Sequence, residues 1–230
     1  EYIKKTLLCI VPLLFAGSVL FANDIYVTQS GDTLDLDITQ DGQNNTVGNS
    51  TTASSSTGAT TTLNIDQIGN SNVITYQING ATYTGTINLV GNSNNVDLNC
   101  DSTGNNSSCG TANAVINFTG NSNDIDLDIG QTASANNADV DIVGQSGSDS
   151  NVVAATVDGN SAILTITVNG DTNNWLIDMD GNGDINGHTL IHTHTGGIAD
   201  VDIVQSGVND QMITLTTSGD NHDIDIQQTD

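Results

Sequence analysis

The chain has 230 residues and a formal net charge of −25 at pH 7, with 27 acidic residues set against two lysines. A surface so poor in cations cannot neutralise phosphates, clamp anionic substrates or attract acidic lipid. Nucleic acid and phosphorylated ligands are therefore excluded as partners, and cations or cation-rich surfaces are favoured.

The first segment reads EYIKKTLLCIVPLLFAGSVLFAND. Lys4 and Lys5 precede an apolar run, Pro12 interrupts it, and small residues end it at Ala22. That is the layout of a secretory signal peptide over residues 1–22. The apolar run is short for a bilayer span, and no stop-transfer charges follow it. Cleavage after Ala22 leaves residues 23–230, which keep 26 aspartates and lose both lysines, the only glutamate and the only proline.

From Gly31 onward glycine recurs at a step of eleven: Gly31 and Gly42, then Gly58, Gly69, Gly80 and Gly91, then Gly159, Gly170 and Gly181. Longer gaps mark loop insertions near residues 48–60, 99–113 and 131–150. Between glycines the residues alternate. Leu34, Leu36, Ile38 and Gln40 fall on one face and Asp35, Asp37 and Thr39 on the other. A two-residue period over short runs is a strand signal, and glycine with Asn, Asp or Ser at each break supplies positive-φ turn positions. Strand, turn, strand, turn at this step gives a coil of about 22 residues, repeated about nine times. The expected fold is all-β, a β-solenoid with two strands per coil and amyloid-like stacking. A sandwich of hairpins explains alternation but not the constant step.

Polar amides keep phase with the apolar positions. Gln40, Gln67 and Gln205 stand two residues before a turn glycine, and Asn45, Asn72, Asn94 and Asn123 stand three after one. Stacked one rung apart, such amides donate and accept along the rod as buried ladders. Cys100 and Cys109 bracket a polar loop in a chain bound for an oxidising compartment, so they are read as a disulfide.

The spacing Gln-x-Gly-x-x-Asn-x-apolar in Gln40–Val47 (QDGQNNTV) and Gln67–Ile74 (QIGNSNVI) resembles the curlin repeat of curli subunits. The departures are Leu89 and Phe118 in place of Gln, and Ala162, Asp210 and His222 in place of Asn. The resemblance implies a secreted or cell-surface protein of a Gram-negative bacterium, a fibre subunit or accessory subunit of a biofilm matrix. It also implies self-association or assembly with other curlin-like subunits, and export by outer-membrane secretion machinery.

Other sites are weaker. Asp178, Asp180, Asn182 and Asp184 match the opening of a calcium loop, but the twelfth position is Thr189 where a glutamate is needed. A turn in the repeat frame is the preferred reading, and calcium the only cofactor considered. His192 and His194, with His188 upstream, lie two apart on one strand, facing in or out according to which of Gly196 and Gly197 sets the frame. They make no firm metal site. No nucleophile elbow, phosphate loop or acid–base set occurs, so neither catalysis nor a small-molecule substrate is expected. The alternative function is a monomeric secreted solenoid that binds as an adhesin or to ice. Ice binding calls for regular outward threonine rows, whereas the outward positions read as mostly Asp and mixed polar.

Mass spectrometry of exported material should find a chain starting at Asn23, with Cys100 and Cys109 two hydrogens lighter than as thiols. Trypsin should leave that chain uncut even when unfolded; an intact leader on surface material would overturn the export argument.

Overall fold

The computed structural model describes residues 22–42, 44–48, 51–69, 71–91, 93–100, 109–130, 137–159, 161–180, 188–207 and 211–229. Apart from Ala22, the expected signal peptide lies outside them. The described residues form strands and turns with no helix. In chain order the strands are β1 (Ala22–Ile25), β2 (Thr28–Ser30), β3 (Thr33–Asp41), β4 (Asn44–Val47), β5 (Ser54–Ile68) and β6 (Val73–Val90). Next come β7 (Asn95–Cys100), β8 (Thr111–Thr119), β9 (Asp124–Ile129), β10 (Asn137–Gly144), β11 (Val152–Val157) and β12 (Ser161–Asn169). The last are β13 (Asn173–Asp180), β14 (His188–Thr195), β15 (Ala199–Ser206), β16 (Met212–Ser218) and β17 (His222–Thr229).

Every strand pair is parallel, and each strand lies beside the one a full turn away. The chain is thus a β-solenoid with about 26 residues per turn. Sheet I contains β1, β2, β4, the first part of β5 and of β6, then β7, β9, β11, β13, β15 and β17. Sheet II contains β3, the second part of β5 and of β6, then β8, β10, β12, β14 and β16. β5 and β6 run round the corner unbroken, so one hydrogen-bonded ladder wraps both sheets.

Turns are longer than the glycine step implies wherever a loop has been let in. Asn72 meets Asn94 at a separation of 22, but Gln40 meets Gln67 at 27 and Asn94 meets Asn123 at 29. Register survives because an insertion between strands adds loop and leaves the pairing unchanged. The strands also reclaim parts of the expected insertions: β5 starts at Ser54, β8 at Thr111 and β10 at Asn137.

The core is a narrow stack of columns between the two sheets. One column of sheet II runs Ile38, Ile65, Ile87, Ile116, Ile142, Ile166, and every member from Ile65 onward is fully buried. Volume is traded between neighbours in the next column. A Cβ on Gly144 would lie 2.7 Å from the Phe118 ring and 2.8 Å from Val168, so the aromatic ring fills the space that the glycine leaves.

Positive φ at the turns is shared between glycine and small polar residues. Gly48, Gly130 and Gly147 take it at φ of 67°, 90° and 83°, and left-handed backbone also falls on Ser93, Ser122, Ser150 and Thr172, at φ of 63°, 58°, 56° and 58°. Gly69 and Gly91 instead allow close approach between coils. A Cβ on Gly91 would stand 1.6 Å from the Gly69 carbonyl oxygen, and one on Gly69 would stand 2.1 Å from that of Gly42. Backbone-to-backbone contact, more than turn conformation, demands glycine at these two corners.

Gly91→Ala should therefore destabilise the fold by about 2 kcal/mol or more, since two rungs must separate to admit one methyl. Thermal unfolding followed by circular dichroism checks this; a shift in melting temperature below about 2 °C would mean the corner is loose.

Candidate functional site

The most ordered polar feature is a column of buried asparagines on sheet I. Asn72 Nδ2 donates to Asn94 Oδ1 at 2.8 Å, Asn94 to Asn123 at 2.7 Å, Asn123 to Asn151 at 2.8 Å, and Asn151 to Asn173 at 2.9 Å. From Asn94 onward each amide also turns back on its own corner. Asn94 donates to Gly91 O at 3.0 Å, Asn123 to Gly120 O at 2.6 Å and Asn173 to Gly170 O at 2.9 Å, and Asn151 donates to Ser148 O. The amide oxygens accept a backbone N–H from the preceding rung, Asn94 N to Asn123 Oδ1 at 3.3 Å and Asn123 N to Asn151 Oδ1 at 3.1 Å. The Gly-x-x-Asn spacing thus has a mechanical cause. A side chain three residues past the corner is the one that reaches the corner carbonyl, and the residue before it takes up the left-handed turn.

Asn45 sits at the start of this stack and donates to the backbone oxygens of Gln40 and Ile68. Asn151 and Asn173 also belong to the column. Asn151 follows Ser148 instead of a glycine, which hides its phase in the sequence, while Asn173 stands three past Gly170 in the same phase as the others.

The glutamines form two separate pairs. On sheet II, Gln67 Nε2 donates to Gln40 Oε1 at 2.6 Å, and the column then passes to Leu89, Phe118 and Gly144. Gln67 Oε1 is left without a hydrogen-bond partner where Leu89 takes over. Gln205 lies on sheet I, beneath Gln228, whose Nε2 donates to its Oε1 at 2.9 Å. Cys100 and Cys109 are joined as a disulfide with Cα atoms 5.8 Å apart, and both are buried.

The histidines face inward. His188, His192 and His194 are all buried. His194 stands across from the end of the asparagine column, its Nε2 3.0 Å from Asn173 Nδ2 and 2.9 Å from Gly170 O. His192 follows Ile166 in the isoleucine column and lies edge-on to Trp175 with ring centroids 5.0 Å apart. Neither of its ring nitrogens has a hydrogen-bond partner. Burial, then the neighbouring His194, lowers the His192 pKa to about 4. His222 on the last strand packs against His194 at 5.2 Å.

The outer faces differ from each other. Sheet I carries aspartates on β7, β9, β13, β15 and β17. Asp97 lies beside Asp126, and both have raised pKa values, first from partial burial and then from like charge, chiefly that of Asp128. On sheet II the aspartates are confined to β3, β5 and β10, while the sheet II part of β6, together with β8, β12, β14 and β16, carries none. Threonines take their place, with Thr33, Thr60, Thr82 and Thr111 in one row and Thr167, Thr193 and Thr216 in another. Outward positions on this sheet are mixed polar as expected but not mostly Asp, because successive strands alternate between sheets.

Of the calcium candidates, Asp178 points outward from β13, the Asp180 side chain is not described, and Asn182 and Asp184 lie outside the described residues. Among the described residues no group of three or more His, Cys, Asp or Glu is placed to hold a metal ion. Comparison with family models, curated proteins and solved structures finds no match to this chain.

The buried His192 sets a pH dependence. Its folded pKa is depressed from the ordinary 6.5 to about 4, so its contribution to stability is full above 6.5 and lost as pH falls toward 4. The loss is on the order of 3 kcal/mol across that window. Asp97 and Asp126 act oppositely on the acid side, since protonation relieves their repulsion. His192→Ile, which continues the Ile166 column, should raise stability at pH 5 and flatten the slope between pH 6.5 and 4.5. Urea melts at stepped pH measure it; an unchanged slope would place the histidine in contact with water.

Proposed function

We propose that the chain is an extracellular structural protein, a curli-like fibre subunit or accessory subunit of a biofilm matrix, assembling end to end by β-templating. The observation that carries the reading is that the inward columns of the first and last described strands match. On β16 and β17 they end with Leu215 after His192, Ile224 after Val201 and Ile226 after Ile203, the two isoleucines exposed. Among the described residues the inward columns begin with Ile25, Leu36 and Ile38. A second copy laid on β17 through its own β1 and β2 would set Ile25 on Ile224, and its β3 would set Leu36 on Ile213 and Ile38 on Leu215. The glutamine at position 29 would meet Gln228. Apolar columns and unpaired backbone groups would then continue from one chain into the next.

The rows of threonine on sheet II favour a second reading, a monomeric binding module that uses that less acidic face on ice or another surface. Size-exclusion chromatography over time separates the two, since a module of that kind stays monomeric.

Purified chain from Asn23 should form fibres with cross-β diffraction. Like charges oppose each addition, so thioflavin-monitored assembly should quicken with salt, which cuts the Debye length from about 30 Å at 0.01 M to about 8 Å at 0.15 M. It should quicken further with calcium, and Ile226→Asp on the last rung should slow elongation about tenfold or more. Rates flat across salt and calcium would sink electrostatic control, and no fibres in any condition would leave the binding module.

A further inference from the structure

We propose that sheet II is a lateral pairing surface for a second copy of this chain. The rod bears its charge unevenly, and this face is where two copies can meet with fewest opposed carboxylates. Across β12, β14 and β16 every outward side chain is uncharged. Ile163, Ile191 and Met212 are exposed there at 43%, 36% and 51%, with Thr167, Thr193 and Thr216 in a row beside them. On sheet I the strands of the same turns expose Asp178, Asp200, Asp223 and Asp225. Two of the sheet II carboxylates are already engaged, Asp37 accepting from Asn64 at 2.8 Å and Asp66 from Asn88 at 2.6 Å.

Other occupants fit less well. Trp175 is buried, and Tyr26, the one exposed large aromatic among the described residues, lies in the opening turn, so the described strands of sheet II offer no aromatic platform for sugar stacking. The described residues contain no Lys or Arg to hold an acidic lipid headgroup. Small hydroxyl and branched side chains on a regular parallel lattice are instead what two sheets interdigitate to form a dry seam. Eight strands at about 4.8 Å spacing and about 3.3 Å per residue give a face on the order of 1,000 Å². A standard interface takes about 800 Å² from each partner. Pairing through sheet II is independent of templating at the ends, because it uses side chains on the flank and no free backbone edge.

The test compares wild-type chain from Asn23 with Ile191→Asp and Thr193→Asp on sheet II, and with Leu176→Asp on sheet I as control. Sedimentation velocity reads the soluble species, and electron microscopy counts the rods lying side by side in any filament. Trp175 emission reports folding. Wild type and Leu176→Asp should give dimers and filaments two rods wide. The sheet II variants should weaken pairing about tenfold or more and give monomers or single rods, with Trp175 emission unchanged. Discrete dimers without filaments would keep pairing and remove templating. Single-rod wild-type filaments would keep templating and overturn pairing. Sheet II variants that pair like wild type would also overturn it, as would a wild-type monomer, including one that slows ice growth through its threonine rows.

Discussion

A primary amide closed off from water has two N–H donors and a carbonyl with two lone pairs to satisfy. Parallel stacking of identical rungs lets each amide serve the next, the corner behind it and the backbone before it, and Asn123 and Asn151 do all three. The rest of the architecture follows from keeping that column in register. Ser93, Ser122, Ser150 and Thr172 accept left-handed backbone because the next residue's amide fixes the corner. Gly69 and Gly91 stay glycine because rungs held at hydrogen-bonding distance leave no room there for a methyl. A slip of one residue would send each amide to the solvent face and each Asp to the core, so pattern and ladder enforce the same pairing.

The fold was legible because alternation and an eleven-residue step survive in the plain sequence, and both are properties of one strand and one corner. What the step conceals is that successive units belong to different sheets. Gln67 and Gln205 occupy the same phase relative to glycine, yet the structure sets them on sheet II and sheet I. The asparagine column belongs to sheet I alone. On sheet II the corresponding column reads Leu34, Thr61, Tyr83, Ala112, Ala138, Ala162. Ala162 is therefore no lapse in an Asn repeat. Separations between 22 and 29 residues scramble the longer period, and with it the segregation of Thr from Asp. Only the register restores that segregation.

The columns break their own rules toward the C-terminal end. Isoleucine or its equivalent gives way to His192, asparagine to Ala199 and His222, and the tyrosine and alanine column to His188. His192 and His222 have no hydrogen-bond partner at either ring nitrogen. A buried polar group left unsatisfied costs about 1–3 kcal/mol, so these turns stand at the low end of the local stability range. They are also the turns beside the last described strands, β16 and β17.

Charge then decides which contacts between copies are affordable. Every rung of sheet I from β13 to β17 sets Asp against solvent, and Asp97 and Asp126, through partial burial first and like charge second, hold protons more tightly than a free carboxylate does. Sheet I to sheet I contact would align like charges at rung spacing, where low dielectric multiplies the repulsion. Two directions remain: along the axis, where apolar columns and backbone hydrogen bonds offset the repulsion, and across sheet II, where few carboxylates stand. A rod that is more acidic on one face than on the other has its modes of contact limited by that distribution. The distribution comes from placing successive eleven-residue units on alternate sheets.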